Sequence, residues 1–144
     1  MIIFDEHLMM RAFVQPSTGL IVPITPQVED LMWAFVDKDG GFPEKHPEIE
    51  TQDWRWTGWK RKSHENCGWN HGDLEYPRYG LPGNVKVSVH KFFYELYVGP
   101  IPPGMQVNHL CETTLCVRPS HLDLRTDSEN KRYSMSRKGA LVAA

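Results

Sequence analysis

Between residues 105 and 139 the chain gathers side chains that bind metals and move protons. Cys111, Cys116 and His121 follow one another with four residues between each pair, in short polar loops. Zn²⁺ takes four N or S donors in a tetrahedron, and such loops can bend each donor inward. Cys67, the remaining one of three cysteines, is the natural fourth ligand. A Cys3His set leaves no open position, so the ion it implies is structural Zn2+. The competing reading makes Cys111 and Cys116 small buried residues and His121 a surface histidine. His109 stands two positions before Cys111. A neutral imidazole there can take a proton from water. Asn130 lies further on, and its carboxamide oxygen can ligate a hard cation such as Mg2+ or Mn2+. Together they suit phosphodiester hydrolysis, with His109 as general base and Asn130 holding the ion that faces the scissile phosphate. Lys131 and Arg132 follow, placed to meet backbone phosphates.

These residues need a strand, a pinned loop and a helix to position them. Met105–Gln106–Val107–Asn108–His109 reads as a strand that ends on the histidine. Thr126-Asp127-Ser128-Glu129 has the form of a helix capping box, and Arg137, Lys138 and Gly139 supply a cationic last turn and its stop. A helix over 127–138 then carries Asn130 in its first turns. Upstream, Val85–Val89 alternates as a strand, and Phe92, Phe93, Leu96 and Tyr97 mark a short helix closed by Gly99-Pro100. His90, at that junction, reads as a helix-start or packing residue. Arg55, Lys60, Arg61 and Lys62 alternate with Trp54, Trp56 and Trp59, which suits a strand and hairpin. Such a stretch can dock nucleic acid or bury its tryptophans while its cations stay in water.

The first fifty residues differ. Met1–Phe4 and Leu20–Ile24 flank a Pro16-Ser17-Thr18-Gly19 turn and read as a hairpin. Thr25-Pro26 starts an amphipathic helix over 26–37, and residues 40–50 form a loop or linker. This segment holds three basic and nine acidic residues, whereas 51–144 holds thirteen basic and nine acidic. The basic part is the side suited to a polyanion. With 40% apolar residues the chain can build a core. It has no secretory h-region and no membrane-length apolar run, so a soluble, intracellular (cytoplasmic) protein without a signal peptide is expected.

Val107–Cys111, Cys116–Leu122 and Ser128–Asn130 resemble the core of HNH endonucleases of phage and homing type. They are similar too to the His-Cys box homing endonucleases of the same His-Me finger group. Tyr79-Gly80, His90-Lys91, Tyr94-Glu95-Leu96 and Gly99–Gly104 extend the resemblance to about residues 53–139. It implies an α+β fold: a ββα-metal core with structural zinc, preceded by antiparallel strands and an N-terminal α/β extension. Residues 1–50 would be that acidic extension, a dimer or specificity element, and 51–144 the nuclease domain. His109 falls on the family's general base, Asn130 on its catalytic-metal ligand, and Cys111, Cys116 and His121 on zinc ligands. Cys67 fits the first zinc cysteine by its distance from Gly80, and Asp53 is a rival for the same position. Two departures stand out. Asn108 occupies a place where many relatives carry a metal-binding Asp, and it can still offer an oxygen. Arg118 replaces the middle Asn that holds the loop orienting the base. The implied substrate is double-stranded DNA, cut to 5′-phosphate and 3′-hydroxyl ends by a homodimer or a monomeric nickase. A zinc-stabilised DNA-binding module without cleavage, or an unspecific nuclease, uses the same scaffold.

Overall fold

The computed structural model describes residues 1–62, 75–126 and 128–129. The chain opens with a three-stranded antiparallel meander, β1 (Ile2–Asp5), β2 (Met10–Val14) and β3 (Ile21–Pro23), in spatial order β1-β2-β3. The turn anticipated at residues 16–19 joins β2 to β3, and Gly19 adopts the left-handed φ of 74° that it needs. The two apolar runs read as hairpin partners are instead the outer strands. Met10–Val14, which the hairpin reading did not include, is the central strand, with Ala12 fully buried.

Helix α1 (Pro26–Trp33) starts as expected, with the Thr25 hydroxyl accepting from the Val28 N–H at 3.3 Å. It stops four residues short of 37. Val36 and Asp37 leave the helix to form β4 (Val36–Asp37), which pairs with β5 (Arg55–Trp56). The aromatic-basic stretch is therefore divided: β5 pairs backwards with β4, while β6 (Lys60–Lys62) pairs forwards with β7 (Glu75–Leu81). Gly58 allows that change of direction, because a Cβ there would lie 2.8 Å from the Trp56 ring.

The sheet β6-β7-β8 is completed by β8 (Val85–Ser88), reached through Gly83 and Asn84, both at positive φ. Helix α2 (Val89–Tyr97) follows directly. Strands β9 (Met105–His109) and β10 (Leu122–Thr126) form a separate antiparallel ladder joined by the cysteine-containing loop and a 3-10 turn at Pro119–His121. Phe92 and Phe93 of α2 sit at the centre of one apolar cluster. That cluster takes in Val22, Val28 and Met32 from the first fifty residues, Trp56 from β5, and Leu81, Val85 and Val87 from β7 and β8. Burying each such side chain contributes about 1.5–3 kcal/mol. Arg11 ties the meander to both helices, donating to the Leu96 carbonyl at 2.8 Å and pairing with Glu29 at 3.4 Å.

The chain is thus a mixed α/β protein with few helices and antiparallel strands. The two strands of the anticipated ββα unit are present as β9 and β10. Of its helix, Ser128 and Glu129 are helical, and Thr126 Oγ1 accepts from the Glu129 N–H at 3.2 Å, as the capping box requires. Asn130, Lys131 and Arg132 lie outside the described residues, as does Cys67.

A candidate metal centre beside a buried histidine pair

The loop between β9 and β10 is held at its root by the Leu110 N–H, which donates to the His121 carbonyl at 2.8 Å. Its far side is laced to the stretch leading into β5. The Trp56 N–H donates to Leu115 O and the Val117 N–H to Trp54 O, both at 2.8 Å, and Arg55 bridges Cys116. This pairing carries Asp53 to the cysteines. Asp53, Cys111, Cys116 and His121 are all buried, and their ligand atoms lie within 4.8 Å of one another.

Hydrogen bonds orient the four donors. Thr113 Oγ1 donates to Asp53 Oδ2 at 3.0 Å, which leaves Oδ1 facing His121 Nδ1 at 3.0 Å. The other imidazole nitrogen, Nε2, is taken by Thr51 Oγ1 at 2.6 Å. Nδ1 also lies 3.5 Å from Cys116 Sγ. That spacing is about what a tetrahedral ion with its usual bonds to sulfur and nitrogen places between two ligands. Outer hydrogen bonds that fix a ligating imidazole and carboxylate are how metal sites are built. The neighbouring Cys111 thiol, together with burial, pushes the Cys116 thiol far above its ordinary range. A thiol in such a place stays protonated until a cation offsets the charge. The donor set therefore fits a metal ion.

The cysteines and His121 come together as the sequence suggested. Of the two rivals for the fourth position, Asp53 stands among them. Arg118 also holds this loop: its Nη1 donates to Gln52 O at 2.9 Å, its Nε to Ser120 Oγ at 3.1 Å, and its guanidinium covers Trp54 at 4.8 Å.

His109 ends β9 opposite Leu122, and Asn108 sits opposite Asp123, to whose Oδ1 its Nδ2 donates at 3.2 Å. Both His109 and Asn108 are buried. The His109 ring lies 4.8 Å from that of His90, and Tyr76 packs on both, at 6.2 and 5.8 Å. His90 is held by Ser88 Oγ at Nδ1, 3.0 Å away. Burial first, and then the charges of His109, Lys91 and Arg78, drive its pKa well below the ordinary histidine value, so it is neutral at physiological pH. The sequence marked His90 as a packing residue at a helix start. Its contact with His109 joins residues of different elements, and no local pattern announces it.

Of the anticipated nucleic-acid contacts, Arg55 and Arg61 are exposed, whereas Lys60 is partly covered. Lys62 has a described backbone in β6 but no described side chain.

Residues 87–132 match the family model of the HNH endonucleases, which covers the end of β8, α2, the β9–β10 unit and its loop. The resemblance to HNH endonucleases is thus supported over residues 87–132. Among individual proteins, the chain is 31% identical over 75 residues to Protein 7.7 of Escherichia phage T7. The match covers 52% of this chain and 48% of that protein, so the chain spans about half the length of the curated relative it matches. No solved structure matches the chain significantly. Among the described residues, no helix is long and apolar enough to cross a membrane.

Proposed function

We propose that the protein is a metal-dependent DNA endonuclease in which His109 removes a proton from the attacking water. The observation that carries this reading is the position of His109. It ends a strand within the HNH-matched segment, beside a neutral histidine and next to a loop tied down by four metal-capable side chains. An imidazole nitrogen of His109 accepts the proton as the water oxygen attacks phosphorus, and the P–O3′ bond breaks. His90, Tyr76 and the β9–β10 ladder keep the imidazole in one orientation. Asn130 and the carboxamide oxygen of Asn108 would hold a divalent ion of the Mg2+ or Mn2+ type, which would supply positive charge beside the scissile phosphate and the departing oxygen. A ββα-metal core follows, with the helix begun at Ser128 as its third element.

Zinc is the ion proposed for the buried cluster, with Asp53, Cys111, Cys116 and His121 as ligands. Sulfur, imidazole and carboxylate donors in a closed, buried site suit a structural ion that takes no part in bond breaking. Residues 1–50 act as an accessory part that shares the apolar core, and their excess of acidic residues makes them unsuited to holding a polyanion.

Supercoiled plasmid incubated with Mg2+ tests the reading. Wild-type protein is expected to nick or linearise it, leaving 5′-phosphate ends, and His109→Ala and Asn130→Ala are expected to lose that activity. A folded wild type that binds duplex and never cuts would favour the binding module instead.

A further inference from the structure

The sheet β6-β7-β8 has two unlike faces. Residues opposite one another in an antiparallel pair share a face, and side chains alternate along each strand. One face holds Pro77, Leu81, Val85 and Val87, all buried. The register sets Arg61 against Tyr76, Arg78 against Ser88 and Gly80 against Lys86, so these residues share the opposite face. Trp59 joins them: the Arg78 N–H donates to its carbonyl at 2.9 Å, and Lys86 Nζ lies 5.6 Å from its ring. Glu75, the one carboxylate in the three strands, has the parity of the buried face.

Arg61, Arg78 and Lys86 thus stand together on one face, and among the described residues none of them forms an ion pair. Arg78 is only partly exposed, and burial with the neighbouring Arg61 charge lowers its pKa. Like charges brought together in this way repel one another, and an anionic ligand lying across them offsets that repulsion. The face also leads to the reactive residues. Tyr76, between Arg61 and Arg78 in register, touches His90 and His109, and Ser88, opposite Arg78, binds His90.

We infer that this face is the track along which the DNA backbone reaches His109, with Arg61, Arg78 and Lys86 as its phosphate contacts and Trp59 holding Lys86 in place. It rests on the nuclease reading for its substrate and adds Arg78 and Lys86, which lie outside the aromatic-basic stretch. Lys60, on the other face, makes no contact in this arrangement.

The test is salt-dependent binding of a short DNA duplex to His109→Ala protein, followed by fluorescence polarisation without added Mg2+. Each lost phosphate contact lowers the slope of log K against log salt by about 0.9. Arg61→Gln, Arg78→Gln and Lys86→Gln should each weaken binding several-fold and reduce the slope by about that amount. Lys45→Gln, in the first fifty residues, should leave both unchanged. Unaltered slopes in Arg78→Gln and Lys86→Gln would overturn the track. Lys86 is exposed, so its variant keeps the test valid if Arg78→Gln does not fold. Slopes that fall as expected while wild-type protein leaves plasmid uncut would uphold the track and reject the nuclease. Failure of the duplex to bind at all would reject both.

Discussion

Two buried polar clusters lie only a few residues apart on the same β9–β10 unit, and they are built in opposite ways. Around His121, both ring nitrogens and both Asp53 oxygens have near neighbours, and the thiols of Cys111 and Cys116 complete a closed set. Around His109, the neighbours are rings: His90 and Tyr76, with Asn108 and Asp123 paired across the ladder. The first arrangement gathers anionic or thiol donors and leaves no place for a substrate. The second keeps an uncharged imidazole beside the proposed base, on the side where the cationic sheet face arrives. Donor type and enclosure, rather than distance along the chain, separate a staple from a reactive site.

The comparison is broken most severely by attacking the staple. Cys116→Ala, or prolonged exposure to a strong chelator, should remove the cooperative thermal transition. The apparent binding energy of a structural zinc, roughly 10–16 kcal/mol, rivals the whole stability of a small domain. Metal analysis sharpens the point: about one zinc per chain is expected, lost in Asp53→Ala and retained in Asp53→Cys and Cys67→Ser. Zinc lost from Cys67→Ser and kept in Asp53→Ala would return the fourth position to the cysteine.

A smaller effect is expected from the histidine beside the base. The folded pKa of His90 lies below the unfolded value of about 6.5. Its neutral form therefore costs no stability above that pH. Stability falls as the pH drops from about 6.5 towards the folded value, because the unfolded chain binds a proton that the fold excludes. His90→Gln should flatten this acid limb in a series of melting temperatures. A limb of unchanged steepness would place its origin elsewhere.

The smallest effect belongs to His46, which bonds Glu48 and Glu112 and so ties the 40–50 loop to the cysteine loop. Bonding to Glu48 first, then to Glu112, raises its pKa. Its contribution is present below about pH 6.5 and is lost as the pH rises through the folded value. His46→Gln should lower the melting temperature by about 1–3 °C at pH 5.5 and leave it unchanged at pH 9.

Local signals proved readable in the sequence. The Thr25-Pro26 cap, the strand ending on His109, the helix over Phe92 and Phe93, and the even spacing of Cys111, Cys116 and His121 each depend on neighbours within a few residues. What escaped was long-range. β2 became the centre of the first sheet because partners on both sides cover it. Val36 and Asp37 left the helix for β5, nearly twenty residues away. Asp53 entered the donor cluster through pairing of residues 54–56 with 115–117, and in sequence it could only be held as a rival to Cys67. The contact between His90 and His109 likewise needed α2 to dock on β9 before it existed.

The central claim is that His109 acts as the base while the neighbouring donor cluster only holds the fold. Single-turnover cleavage of plasmid DNA in Mg2+ by wild type and His109→Ala, matched in zinc content and melting temperature, tests it most directly. The account predicts a rate lowered by about 10²–10⁴ in the variant, the usual share of a general base. Equal rates in the two proteins would contradict it.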